Sequence, residues 1–412
     1  MSRYRRLVFA LLTCVLWRCA APAQSPGDAD LRQGLTALGK SDLAGARNFL
    51  ERAAKLEPRS GVVWVALAQT YLRSGQKDAA AQAAGRAEQF GGDIPSVQHA
   101  LALFYSGAGD SLRAADWERR YASAAGAGVE AAASASALSL NAGQPQEAVK
   151  WAQAALGRRD TPEMRHLLGM AFRAAGELDA ALPELRLATK AAPDEELFVS
   201  DYGQALLEHL DFAEALAVLD PARQRFPKSS QILLAFGVAC YGERRFADSV
   251  SAFLQVIRLD SGIEQPYRFL GRLLEHAGER LPEVIASYAA WEKKAPDNYL
   301  PVFLHAKALA AASAPDDTAV ETKLRRSILL NGSYWESRLE LGVLLLTQGK
   351  WQESAQELSR SIELNPRNAS AHFQLARAYL RLGKPDRAQA ERAEFQRLKS
   401  AEDAGGIPDF RF

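Results

Sequence analysis

Glycine returns at a fixed interval along this chain. Gly169, Gly203, Gly237 and Gly271 stand 34 residues apart, and a second ladder, Gly75, Gly109, Gly143 and Gly176, steps by 34, 34 and 33. Proline keeps the same beat: Pro193 and Pro227 differ by 34, Pro227 and Pro296 by 69, and Pro296 and Pro366 by 70. One compact core gives no reason for its punctuation to repeat. A row of equal supersecondary units does, because each unit must cover the apolar face of the next. The 412 residues need not then divide into domains with separate cores.

The segment from Gly61 to Gly92 shows the logic of one unit. Val62, Val63, Trp64, Leu67, Ala68, Tyr71 and Leu72 recur at three-to-four spacing, the mark of one helix face. Gly75 breaks that helix. Ala79, Ala80, Ala83, Ala84 and Ala87 give a second helix with a small-residue face, and Gly91 and Gly92 end it. Two helices approach closely only where one offers a very small side chain. Gly34, Gly169, Gly203, Gly237, Gly271 and Gly342 offer it on first helices, facing Ala46, Ala80, Ala181 and Ala215 on second helices, with Phe172, Leu185, Phe253 and Tyr288 filling the layer between. The closing prolines stop each second helix, and Asp194 and Asp297 are the expected N-caps of the helices that follow. Three units depart from the pattern. Ala122 to Ala137 lacks large anchors, the unit near residue 264 carries Gly278 and Pro282 in a stretched turn, and Ala311 to Asp317 replaces a glycine with a longer turn.

Trp64, Leu67, Ala68 and Tyr71, followed by Ala80, Ala87 and the closing prolines elsewhere, resemble the tetratricopeptide repeat family. Leu341, Gly342, Leu345, Gly349, Leu358 and Pro366, and then Leu375, Ala376, Tyr379, Gly383 and Ala388, carry the same template. The resemblance implies an all-α, right-handed superhelical solenoid of about eleven helix hairpins over residues 24–400. The units open near residues 27, 61, 95, 129, 162, 196, 230, 264, 301, 335 and 369, and residues 401–412 form a flexible tail.

The N-terminus reads as an export signal over residues 1–23. Arg3, Arg5 and Arg6 precede an apolar run from Leu7 to Trp17, and Ala21, Pro22 and Ala23 offer small residues before a cut at Gln24. The run is too short to span a bilayer. Association with a membrane is expected only if this segment is retained as an anchor or lipidated at Cys19. The chain has 37 arginines against 13 lysines and much alanine, which suits a GC-rich bacterial genome. The expected location is therefore the bacterial periplasm or cell envelope. Beyond the signal only Cys240 remains, so no internal disulfide forms there.

Catalytic chemistry finds no footing. The six histidines show no HExxH pair and no three- or four-residue spacing, so no metal site is expected. Gly34 to Ser41 fits the P-loop pattern, but Leu31, Leu35 and Leu38 continue a helical face through it, and a phosphate cradle needs a strand-to-helix loop. Gly126 to Ala131 fits a loose dinucleotide fingerprint without the βαβ unit that would use it. Cys240 sits in an apolar helix, as a structural thiol does. Acid clusters such as Asp194, Glu195 and Glu196 stand at helix starts. No catalytic residue, metal or cofactor is expected. A net charge of +1 with no basic stripe argues against nucleic acid.

What remains is the wall built from first helices. In the family's arrangement, residues two, five, nine and twelve of each unit face the inner groove. Most units place apolar groups there, such as Val62 and Val65, Leu234 and Val238, or Leu339 and Val343. One unit is polar at all four, with Gln265, Arg268, Arg272 and Glu275, and His276 follows Arg272 by four residues. His166 and Arg173 echo it earlier, and Arg377 and Arg381 in the last unit. Guanidinium groups on such a wall suit carboxylate or phosphate groups of a partner. His99, His166 and His305 fall at the fifth place of their units and are expected as solvated groove residues. The expected function is a non-enzymatic scaffold that binds a protein or peptide in its groove. The alternative is a structural assembly factor of an envelope secretion or polysaccharide-export complex.

Overall fold

The computed structural model describes residues 26–405, residue 125 aside. The expected signal, residues 1–23, lies outside them. Among the described residues every regular element is helical, and no strand is present. The chain forms two compact units, meeting in sequence between His209 and Leu210. The first unit contains the hairpins α1 (Pro26–Gly39) with α2 (Leu43–Leu56), α3 (Gly61–Arg73) with α4 (Lys77–Gly91), and α5 (Pro95–Ala108) with α6 (Ser111–Ser123). It continues with α7 (Val129–Asn141) and α8 (Pro145–Arg158), α9 (Pro162–Ala174) and α10 (Leu178–Ala191), and closes on α11 (Glu196–Glu208). The second unit opens with α12 (Phe212–Arg225). It then pairs α13 (Ser230–Gly242) with α14 (Phe246–Leu259), α15 (Gln265–Arg272) with α16 (Leu281–Lys294), and α17 (Tyr299–Ala310) with α18 (Asp317–Leu330). Its last hairpins are α19 (Trp335–Thr347) with α20 (Trp351–Leu364) and α21 (Ala369–Arg381) with α22 (Pro385–Gly405). The last helix thus takes in residues 401–405 of the segment expected as a tail, and residues 406–412 lie outside the description.

The glycine ladders have two distinct causes. Gly75 and Gly109 stand just past first helices with φ of +77° and +84°, a left-handed turn that glycine adopts without strain. Ser41 and Arg244 take the same place in their units at +62° and +59°. The other ladder is packing. A Cβ on Gly169 would lie 2.6 Å from Leu185 Cγ, and one on Gly342 would lie 2.6 Å from Leu358 Cγ. Serine reinforces two such crossings: Ser249 Oγ donates to the Gly237 carbonyl at 2.8 Å, and Ser354 Oγ to the Gly342 carbonyl at 2.7 Å. Gly271 departs from this scheme, because its space is filled by Leu304 of the following first helix, 2.6 Å from the Cβ position.

First helices begin within one residue of the places expected, with one exception. α17 opens at Tyr299 rather than near 301. The N-caps are displaced too. Glu195 and Asn298, not Asp194 and Asp297, hold the cap positions, and Asn298 Oδ1 accepts from the Leu300 amide at 3.0 Å. The proline sets a short turn first, so the cap falls one residue later than the aspartate. Second helices do end two residues before Pro193, Pro227, Pro296 and Pro366.

All three irregular units are visible. α7 buries only Val129, alanines and serines, and Trp151 from α8 packs into the space that a large first-helix residue would fill. α15 stops after eight residues at Arg272, and two 3-10 turns, Leu274–His276 and Gly278–Arg280, lead to Pro282 in the first turn of α16. Residues 311–316 make a long turn between α17 and α18.

Candidate functional site

Within each unit, first helices pack on their own second helices, and several also touch the first helix beside them, α3 with α5, α7 with α9, α15 with α17 and α19 with α21 among them, which together make a first-helix wall. The two units use the polar groups on that wall differently. In the first, the groups are tied to each other. His166 Nε2 lies 2.7 Å from Asp201 of α11, and its ring stacks on Phe198 with centroids 4.4 Å apart. Arg173 donates to both Glu208 oxygens, at 2.8 and 2.6 Å, and to Gln204 Oε1 at 3.2 Å. The Glu208 hydrogen bonds hold the Arg173 guanidinium above its ordinary pKa range. His166 and Arg173 are therefore fastened to the neighbouring helix rather than open for a partner.

The expectation of solvated groove histidines fails for a similar reason. His99 Nδ1 stands 2.8 Å from the fully buried Glu118, and His305 Nδ1 stands 2.6 Å from Glu292. Because α17 starts early, His305 is the seventh residue of its helix, not the fifth, and it is buried. His276 also leaves its expected place. α15 has ended before it, so the four-residue spacing from Arg272 no longer sets a shared helix face. Its ring stacks instead on Phe246, with centroids 4.1 Å apart. Among the described residues no cluster of side chains could hold a metal ion. Cys240 is fully buried, and that burial pushes its thiol up to about 12, so it is inert at neutral pH. Gly34 of the P-loop-like run lies within α1 and packs on Leu50.

In the second unit the wall keeps charged groups that the fold does not consume. Gln265 is partly buried at the start of α15, and Arg268 and Arg272 on the same helix are exposed. Arg268 Nε donates to Glu264 at 2.6 Å, an exposed i,i+4 pair of small energetic weight. Arg272 has its guanidinium 5.9 Å from the centre of the Phe269 ring and, among the described residues, no acidic partner. Arg377 donates to Gln374 at 2.8 Å, and Arg381 is exposed without an ion pair.

Across from Arg268 stands a group that sequence inspection missed. Glu336 and Glu340 lie one turn apart on α19, partly buried, and neither forms an ion pair among the described residues. One Glu336 oxygen, Oε2, is buried without a hydrogen-bond partner. Burial raises the pKa of both carboxyls against the opposing pull of Lys307, which for Glu336 is joined by Arg268. Burial raises that of Tyr334 as well, in the same electrostatic neighbourhood. The signal available in sequence was two acids at i,i+4 with no base three or four residues away on their own helix. The cation that acts on both, Lys307, belongs to the preceding hairpin.

Next to these acids, a cleft of about 240 Å³ opens between α17, α18 and α19. Its apolar lining includes Ala306, Ala310, Val343 and Leu344, and its polar groups include Lys307 and Glu340. Pro315 lines the cleft from the six-residue turn at 311–316, where most other hairpins close on three residues.

Three family models match the chain over four stretches: two described as tetratricopeptide repeat, at residues 37–103 and at residues 138–196 and 201–263, and one described as TPR repeat, at residues 342–383. Together they cover more than half of it. Solved structures similar to the chain include the yeast Tom70 crystal structure, at 13% identity over 90% of this chain and 92% of that one, with a TM-score of 0.39. The Cut9–Hcn1 hetero-tetramer of APC/C matches at 14% identity over 91% and 94%, with a TM-score of 0.41. YrrB, a TPR protein with an unusual peptide-binding site, matches at 16% identity over 47% and 97%, with a TM-score of 0.38. No curated protein matches in sequence.

Proposed function

The chain belongs to the tetratricopeptide repeat family, and we propose that it is a non-catalytic scaffold that binds a protein or peptide segment on the first-helix wall of its second unit. Members of this family hold protein or peptide partners on stacked helices. One observation carries the choice of unit: His166 and Arg173 on the first unit's wall are bonded to acids of the neighbouring helix, whereas Arg272 and Arg381 on the second unit's wall have no acidic partner among the described residues. Arg268, Arg272, Arg377 and Arg381 suit carboxylates of an extended segment, because a guanidinium offers two parallel donors. Rigid helices hold these groups in place before binding, which lowers the entropic cost of capture.

The test is selection from a random dodecapeptide library. Peptides enriched on the unaltered chain should carry acidic residues. The double variant Arg268→Glu and Arg272→Glu should bind them about tenfold or more weakly, with unchanged helical circular dichroism. Equal binding by a fully helical double variant would remove the arginines from the site.

Export to a bacterial envelope is part of the same proposal. It is supported by the basic, apolar and small-residue order of residues 1–23. Fused ahead of alkaline phosphatase, that segment should yield active enzyme outside the inner membrane. Activity confined to the cytoplasm after disulfide-permissive expression would refute export.

A further inference from the structure

The cleft beside α19 combines an apolar floor with carboxyl groups that form no ion pair among the described residues. Its floor is apolar, made by Ala306, Val343 and Leu344, with exposed Ala310 at its mouth. Glu340 stands at its edge without an ion pair, and Glu336 one turn away has a buried oxygen with no donor. A buried acceptor lacking a donor costs free energy in the unbound protein. Lys307 is close enough to act on both carboxyls, yet it bonds to neither. Among the residues that line the cleft, Asp317 and Glu340 are two acids against one base, Lys307, which leaves it net negative.

We propose that this cleft receives a lysine or arginine side chain of the bound polypeptide, its aliphatic stem on the apolar floor and its cationic head on Glu340 and Glu336. Such a side chain matches both parts of the site, because its stem is apolar and its head is a multiple donor. The volume suits one side chain rather than a folded element. The proposal rests on the reading that the second unit's wall binds a peptide. It adds a basic anchor to the acidic contacts expected at Arg268 and Arg272, so the recognised segment is of mixed charge.

The same peptide library separates the two. Selection on the unaltered chain should enrich peptides that carry a basic residue in addition to acids. Glu340→Gln should abolish the basic enrichment while the acidic one persists. Arg268→Glu with Arg272→Glu should do the reverse. For one enriched peptide, replacing its basic residue with norleucine should weaken binding about tenfold, and this loss should vanish in Glu340→Gln. Glu340→Gln keeps the side-chain shape, so folding is expected to survive. Ala310→Trp supplies a second probe, because Ala310 is exposed at the mouth and its indole would fill the cleft from outside the core. It should also lose basic enrichment. Retention of basic enrichment by both variants would overturn the proposal and leave the arginine site standing. Loss of all peptide binding only in the arginine variant would do the same.

Discussion

Phe253→Ala is expected to lower the unfolding free energy by about 3–5 kcal/mol, and Gly237→Leu by about 1–3 kcal/mol, yet the two together should cost less than their sum. Phe253 has no exposed surface, and its ring occupies the space where a side chain on Gly237 would stand. A Cβ there lies 2.7 Å from Phe253 Cε1 and 2.9 Å from Cδ1, nearer than carbon atoms approach. Either the ring moves or α13 and α14 separate. Alanine at position 253 empties that space, leaving a cavity in one variant and room for leucine in the other. The crossing has a second tie in the Ser249 hydrogen bond to the Gly237 carbonyl. Urea denaturation of the two single variants and the double variant measures the coupling. Strict additivity within about 0.5 kcal/mol would show that glycine and ring do not share one volume.

Glu292→Ala is the second large effect, about 3 kcal/mol of lost stability. Glu292 of α16 is only 13% exposed and gathers a histidine from α17 and two cationic side chains from α18. His305 Nδ1 is 2.6 Å away, Lys323 Nζ donates at 2.8 Å, and an Arg326 nitrogen lies at 3.8 Å. Removing the carboxylate leaves these groups facing one another in a half-dry space. Burial alone would raise the Glu292 pKa, but hydrogen bonds from Lys323 and His305 outweigh it, and the folded value is lowered. The sign follows. A depressed folded pKa stabilises the fold above the ordinary glutamate value near 4.3, and that contribution fades as pH falls through the lowered folded value. Urea denaturation of the unaltered chain should weaken across that acid window. Glu292→Gln should start lower and lose less. A variant as acid-sensitive as the unaltered chain would assign the effect to other carboxylates.

Spacing made the helix hairpins legible because their causes are local. Left-handed turns after first helices favour glycine, though Ser41 and Arg244 also hold them, and close crossings need a small residue, so both write themselves into the sequence at the period of the unit. Where a unit changes length, the ladder loses its place: the long turn after Ala310 shifted the apparent start of α17, and with it the position assigned to His305. The charged wall was less legible, since a residue's partner lies one unit away. Asp201 follows His166 by 35 residues, and Glu208 follows Arg173 by the same step, so an acid one period and one residue onward was the available sign. His276 misled because a helix was assumed to run through it. Glu336 and Glu340 looked like ordinary surface acids until burial set them apart.

The long turn at residues 311–316 has a consequence for how such a chain can change over time. It lies outside the helix crossings, yet its Pro315 lines the cleft between α17, α18 and α19. A deletion or insertion there alters what fits without disturbing the register of any hairpin. Selectivity can thus drift through loop length alone, while the helices on either side stay committed to holding the array together.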